Sequence, residues 1–240
     1  MIGFIGGSGF ENLLDGKSVE RFDITTEWGK PSQIIKKISA DNQEFLFLQR
    51  HGNGKILPHK INYQANIKAF HDLGVKKILG SAAVGGITIE TGTVVIPDQL
   101  IDYTYNRPQT YFEQVKTVKH IEFSQPYNNG LRFKLLKACK DLEINVKKKG
   151  VLGVTQGPRL ETSAEIRRLK NDGCDIVGMT GMPETCLAAE LDIEYACIAY
   201  VVNPAAGIGG ELISIKNMEN EIKQSAQNSL KILNQFLLNE

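Results

Sequence analysis

The chain has 240 residues, 42% of them hydrophobic and 23% charged, with a formal net charge of +1. That balance supports a buried core, excludes the composition of a disordered chain, and offers no basic excess for nucleic acid. Cys139, Cys174, Cys186 and Cys197 show no Cys-x-x-Cys spacing or histidine cluster, so a zinc site and a disulfide framework are both poorly supported, and reduced, mostly buried thiols are expected. In chain order, residues 2–5 predict a strand feeding a glycine turn, and residues 45–49 a strand ending at Arg50-His51. Residues 61–73 have helical spacing and stop at Gly74; residues 77–81 follow as a strand and 82–86 as a turn. Residues 94–101 predict a strand, 131–142 a helix, and 151–155 a strand running into the Gly157-Pro158 turn. A helix over 163–171, a strand over 175–179, a helix over 184–191, a strand over 195–202 and a helix over 219–238 complete the chain.

Short apolar runs alternating with amphipathic stretches are the pattern of an α/β fold. No repeat, low-complexity segment or linker interrupts it, so residues 1–240 read as one domain. The lysines at 36, 37, 76, 77 and 147–149 read as solvated faces. The start, MIGFIGGSGF, lacks a basic region and is broken by glycine, unlike a signal peptide, and no stretch approaches 18 uncharged apolar residues. The expectation is a cytoplasmic enzyme with no membrane or nucleic-acid partner.

The polar motifs sit at the predicted strand ends, where ligands gather in open α/β sheets. They are Gly6-Gly7-Ser8-Gly9, Arg50-His51-Gly52, residues 58–66 (PHKINYQAN), Ser81-Ala82-Ala83-Val84-Gly85, residues 155–161 (TQGPRLE), Met179-Thr180-Gly181-Met182-Pro183-Glu184, and Asn203. Seven such blocks, in this order over nearly the whole chain, resemble the trimeric purine nucleoside phosphorylase and methylthioadenosine phosphorylase family; any one alone would be weak. The resemblance implies an α/β fold of one domain, a mixed central β-sheet flanked by helices. It also implies a homotrimer acting on a purine nucleoside and phosphate.

By that resemblance Ser8, Arg50, His51, Ala82, Ala83 and Thr180 are the phosphate ligands. The residue types suit the task. Ser8 offers a hydroxyl and neighbouring backbone N–H groups in a concave turn, and Arg50 a forked guanidinium. His51 and Thr180 add side-chain donors, and Ala82 and Ala83 backbone N–H groups at a tight turn. The methylthioadenosine branch has threonine at the position of Ala82, whereas the nucleoside branch has alanine. Local sequence alone leaves other readings: Arg50 and His51 as surface salt-bridge formers, and Gly3, Gly6 and Gly9 as the start of a dinucleotide fold, although the strict G-x-G-x-x-G is missing.

For the base, the resemblance points to Glu161 and Asn203. A carboxylate only accepts hydrogen bonds, while an amide donates and accepts. The pair therefore suits a 6-oxopurine, with N1–H on Glu161 and O6 and N7 on Asn203, which would also stabilise the departing base. Adenine would set lone pair against lone pair at Glu161. The methylthioadenosine branch carries aspartates at the positions of Asn203 and Ala205. Read locally, Glu161 is a helix-start carboxylate and Asn203 part of an Asn-Pro turn. Met179 is placed under the ribose. Ile215 falls where the nucleoside branch has a 5′-binding histidine, giving an apolar pocket there, and His120 aligns with a residue that reaches the neighbouring subunit's site; His59 and His71 read as structural or exposed. A 6-oxopurine reader with an apolar 5′ pocket suggests S-methyl-5′-thioinosine as substrate, without metal or organic cofactor and with phosphate as co-substrate. Inosine or guanosine phosphorolysis, methylthioadenosine phosphorolysis, hydrolytic cleavage and a non-catalytic nucleoside-binding protein stand as alternatives.

Overall fold

A computed structural model describes residues 1–10, 13–14, 16–40, 43–113, 119–210 and 215–240, without the side chains of 40 and 215–217. Its strands are β1 (Ile2–Gly6), β2 (Ser18–Phe22), β3 (Ile35–Ala40), β4 (Gln43–Gln49), β5 (Lys77–Gly86), β6 (Val94–Val95), β7 (Gln99–Asp102), β8 (Val146–Lys147), β9 (Val151–Val154), β10 (Ile176–Gly178) and β11 (Glu194–Pro204). Its helices are α1 (Tyr63–Asp72), α2 (Asn129–Asp141), α3 (Ser163–Asn171), α4 (Glu184–Glu190) and α5 (Ile215–Leu238). All the strands join one mixed sheet.

Period-two alternation divides the core into two layers. In β1 Ile5 faces one cluster, with Leu46, Leu48, Ile67, Phe70 and Leu187, while Phe4 faces the other, with Phe45, Phe47, Leu233 and Phe236. In β11 Tyr195, Cys197, Ala199 and Val201 take the first side, and Ala196, Ile198, Tyr200 and Val202 the second. Both faces being apolar, these strands read as unbroken hydrophobic runs, as expected for a parallel sheet covered on both sides by helices. α1 and α4 cover the first face, α2 and α5 the second, and α3 closes a smaller cluster of Ile166, Leu169, Val177 and Ala205.

The site is positioned by the central strand. β5 runs parallel to β11 along the whole of one edge, from Lys77 to Gly86. Its other edge is shared: β1 pairs with Lys77 to Gly80, and β10 runs antiparallel against Gly85 and Gly86. No strand among the described residues covers 81–84 on that edge. Because β1 and β10 run in opposite directions, their carboxyl ends point at each other across this opening. It is the equivalent, within one sheet, of the crevice at strand ends where α/β proteins bind ligands.

Three expectations are corrected. Residues 82–86 continue β5 rather than turning. The Gly85-Gly86 pair, which suggested a turn, serves close packing: a Cβ on Gly86 would stand 2.0 Å from the Ile89 carbonyl oxygen. The strand expected over 94–101 is broken into β6 and β7, with Pro97 between them unable to donate to a ladder. Unforeseen were β2, β3 and β8. β2, with sequence SVERF, is mostly exposed and so shows neither an apolar run nor an alternating one; it forms by antiparallel pairing outside β3. Among the lysines read as solvated, Lys37 is partly buried and pairs with Glu44 at 2.8 Å across β3 and β4.

Candidate active site

An open-mouthed cavity lies over the opening in β5, at strand ends where α/β proteins bind small molecules. Ten of the residues named from sequence line it: Ser8, Arg50, His51, Ala82, Ala83, Glu161, Met179, Thr180, Asn203 and Ala205. They come from the ends of β1, β4, β10 and β11, from the middle of β5, and from the segment entering α3. Strand direction thus gathers most of these residues, and the loop entering α3 adds Glu161.

At one end stands Arg50, 1% exposed. Its Nε–H donates to Glu184 Oε1 at 2.5 Å and an Nη2–H to Glu184 Oε2 at 2.9 Å, while an Nη1–H donates to the Ser81 carbonyl at 2.7 Å. Glu184, the first residue of α4, is 0% exposed and accepts a further bond from the Tyr195 hydroxyl at 2.7 Å. Burial alone would lower the arginine's pKa, but the adjoining Glu184 carboxylate overrides it and the net shift is upward. Burial, reinforced by the same carboxylate, pushes the Tyr195 phenol well above its ordinary range. Arg50 is therefore a fixed cation held by a bidentate, hydrogen-bonded carboxylate, with three of its five N–H groups engaged inside the protein. The alternative reading of Arg50 as a surface salt-bridge former is corrected: its ion pair with Glu184 lies in the core.

Gly7 keeps this end open, since a Cβ there would lie 2.9 Å from the Ser81 oxygen and 3.2 Å from Arg50 Nη1. Gly80 makes room for the Tyr195 hydroxyl, which a Cβ would approach to 2.0 Å. Backbone groups alternate in direction along a strand, so the N–H of Ala83 faces the same edge as the Ser81 carbonyl, into the opening, while that of Ala82 faces β11. Ala83 supplies the backbone donor at this end; Ala82 contributes wall. His51 sits beside Arg50, its Nδ1 2.9 Å from the Ile56 carbonyl oxygen. A carbonyl only accepts, so Nδ1 carries the proton and the ring orientation is set.

At the other end stands Glu161, half-buried, accepting from the Thr155 hydroxyl at 2.6 Å. It is not the helix cap. Thr162 caps α3 by accepting from the Glu165 N–H, Glu165 returns the bond to the Thr162 N–H, and Arg159 braces Glu165. The hydrogen bond from Arg159, with those from Thr162, lowers the Glu165 carboxyl to about 2. With the cap filled by its neighbours, Glu161 faces the cavity. Asn203 follows a bulge in β11 at Val201 to Asn203, and its Nδ2 donates to the Pro204 carbonyl at 2.6 Å. One amide N–H and Oδ1 remain, enough for one purine acceptor at a time unless the side chain leaves Pro204. Arg107, buried, ties the two ends together by donating to the carbonyls of Met182 at 2.7 Å and Gln156 at 2.9 Å.

Not everything converges. His120 is exposed and lies outside the cavity wall. The side chain of Ile215 is outside the described residues, as are residues 213 and 214; on α5 it is Met218 and Ile222 that line the cavity. The four cysteines are free and buried. Among the described residues no group of His, Cys, Asp and Glu is placed to hold a metal ion, and no helix is long and apolar enough to cross a membrane. Glu184, Tyr195, Thr155, Ser81, Arg107, Met218 and Ile222 are contributors that sequence reading had not singled out; Glu184, Thr155 and Ser81 lie inside the motif blocks.

Comparison with known proteins bears on this arrangement. The model of the phosphorylase superfamily matches residues 1–238. A Xylella fastidiosa protein named probable S-methyl-5'-thioinosine phosphorylase is 48% identical over 221 residues, covering 88% of this chain and 93% of the relative. A Pyrococcus furiosus protein named 6-oxopurine nucleoside phosphorylase is 37% identical over 242 residues, covering 97% and 90%. The solved structure of methylthioadenosine phosphorylase from Schistosoma mansoni in complex with adenine superposes with a TM-score of 0.92 at 30% identity, over 99% of this chain and 90% of that one.

Proposed function

Because the chain belongs to the phosphorylase superfamily, we propose that it catalyses the reversible phosphorolysis of S-methyl-5′-thioinosine, giving hypoxanthine and 5-methylthioribose 1-phosphate. The observation that carries this is one cavity with a fixed guanidinium at one end and the Glu161 and Asn203 side chains at the other. The 48% identity to a protein named for that reaction supports it.

Inorganic phosphate binds against Arg50, His51, Ser8, Thr180 and the Ala83 N–H, and attacks C1′ of the ribose from the face opposite the base. As the glycosidic bond breaks, positive character grows on the ribose and negative charge on the purine. The Asn203 amide donates to N7, meeting the negative charge where it develops, and Glu161 accepts from N1–H, which fixes the base in place. Met179 packs under the ribose. Neither a metal nor an organic cofactor enters this scheme.

Base selection follows from the same two residues. Ala205, buried in the wall, brings no carboxyl group that could protonate and engage adenine. At the sugar's 5′ end the apolar side chains of Met218 and Ile222 support a pocket for S-methyl, to which Ile215 is assigned by position. We assign His120, exposed in one subunit, to the 5′ end of a neighbouring site in a homotrimer working in the cytoplasm. Inosine and guanosine phosphorolysis is the second reading, favoured by the relative named 6-oxopurine nucleoside phosphorylase and by the N1–H, O6 and N7 groups that all these bases share.

The test is base release from methylthioinosine, inosine, guanosine and methylthioadenosine side by side. Methylthioinosine is expected to lead, with methylthioadenosine weaker by about 2 to 4 kcal/mol in transition-state binding. If methylthioadenosine leads, the base assignment of Glu161 and Asn203 is wrong.

A further inference from the structure

We propose that Thr155 sets the choice between hypoxanthine and guanine nucleosides by fixing how Glu161 presents its carboxylate; this rests on the base-binding role given to Glu161 above. Thr155 directly follows β9 and its backbone is pinned, its N–H donating to the Gly178 carbonyl at 2.8 Å. Its Oγ1 lies 2.6 Å from Glu161 Oε1 and 3.3 Å from the Gly178 oxygen. Both neighbours only accept, and the hydroxyl has one proton, so the shorter, charge-assisted bond to the carboxylate takes it.

Glu161 has space on two sides. It forms part of the wall between the active-site cavity and a second cleft lined by Tyr103, Tyr105, Gln156 and Arg159. Arg159, in the wall of that cleft, attracts the carboxylate by charge, but the side-chain hydrogen bond to it among the described residues is the one from Thr155, so the threonine sets which oxygen is tied back. With Oε1 turned to Thr155, Oε2 is the oxygen presented to the base.

Hypoxanthine and guanine differ at this edge. Hypoxanthine offers N1–H alone, which one oxygen satisfies. Guanine offers N1–H and a 2-amino N–H side by side, a two-donor edge matched by a carboxylate presenting both oxygens. With one oxygen held back, the 2-amino group enters the cavity without a partner, and an unpaired buried donor is costly. Thr155 is thus a specificity-determining, positioning residue: it does not touch the substrate but selects against the extra amino group.

The experiment compares wild type, Thr155→Val and Thr155→Ser with S-methyl-5′-thioinosine and its 2-amino counterpart, S-methyl-5′-thioguanosine, in saturating phosphate. Wild type is expected to favour the hypoxanthine nucleoside by about tenfold in kcat/KM. Valine, close in shape but lacking the hydroxyl, is expected to reduce that ratio at least about fivefold, and serine to keep it within about twofold. The KM for phosphate is expected to stay constant, because Arg50 is untouched. An unchanged ratio in Thr155→Val, with wild type active, overturns this role for Thr155 and leaves the base assignment standing. A wild type inactive on both nucleosides overturns the base assignment and the role of Thr155 together.

Discussion

The two ends of the cavity are built differently. At the end proposed to bind phosphate Arg50 is 1% exposed and its carboxylate partner 0%, and the pair is bound by three hydrogen bonds to each other and Tyr195. At the base end Glu161 and Asn203 are half-buried and held by one short bond each, from Thr155 and to Pro204. In the proposed reaction phosphate is the same in every turnover, so its end can be part of the core. The base is what must be told apart, and the residues proposed to read it are half-buried, where a change of partner changes selectivity at small cost to folding. Breaking the first region should therefore destabilise the protein; breaking the second should change catalysis or selectivity and leave the fold intact.

The largest effect is expected from Glu184→Gln or Arg50→Met, each of which leaves a buried charge without its partner. Either should cost about 3 to 5 kcal/mol of stability, read by denaturant unfolding, and abolish phosphorolysis. A stable, inactive Arg50→Met protein would show that the pair is functional only. Next, Asn203→Ala should lower kcat by about a hundredfold or more through loss of the N7 donor, with unfolding shifted by less than about 0.5 kcal/mol. A comparable loss of stability would erase the contrast between the two ends.

Gly80→Ala sharpens the comparison from the core side. Its methyl would displace the Tyr195 hydroxyl from Glu184, with an expected cost of about 1 to 3 kcal/mol and a raised KM for phosphate at unchanged KM for nucleoside. The smallest effect is expected from Thr162→Ala, which removes the cap of α3 at about 1 kcal/mol. Because that cap directs Glu161 into the cavity, the nucleoside KM should rise while the phosphate KM holds, which steady-state kinetics with each substrate varied would show.

Much of this was legible in the sequence, for identifiable reasons. The buried strands β1, β4 and β11 are short apolar runs, and the helix expected over 163–171 is α3. Most of the cavity residues named beforehand were legible because they sit in ordered motif blocks at strand ends, whereas Met218 and Ile222, on α5, belong to no block. Residues 82–86 misled because glycine marks both turns and close packing, and only the neighbouring Ile89 carbonyl distinguishes the two. Tyr195 was hidden for a similar reason: at the start of a buried strand an aromatic residue reads as core, and its hydroxyl matters only once Gly80 and Glu184 are brought beside it. The Thr155 to Glu161 bond spans six positions with an intervening turn, a separation that no helix or strand period reports.

The most direct test is hypoxanthine release from methylthioinosine as phosphate is titrated from zero, with the sugar product followed by phosphorus NMR. Phosphorolysis predicts no release without phosphate, saturation as it is added, and one 5-methylthioribose 1-phosphate for each hypoxanthine. Release at an undiminished rate without phosphate, with free methylthioribose as product, would contradict the account.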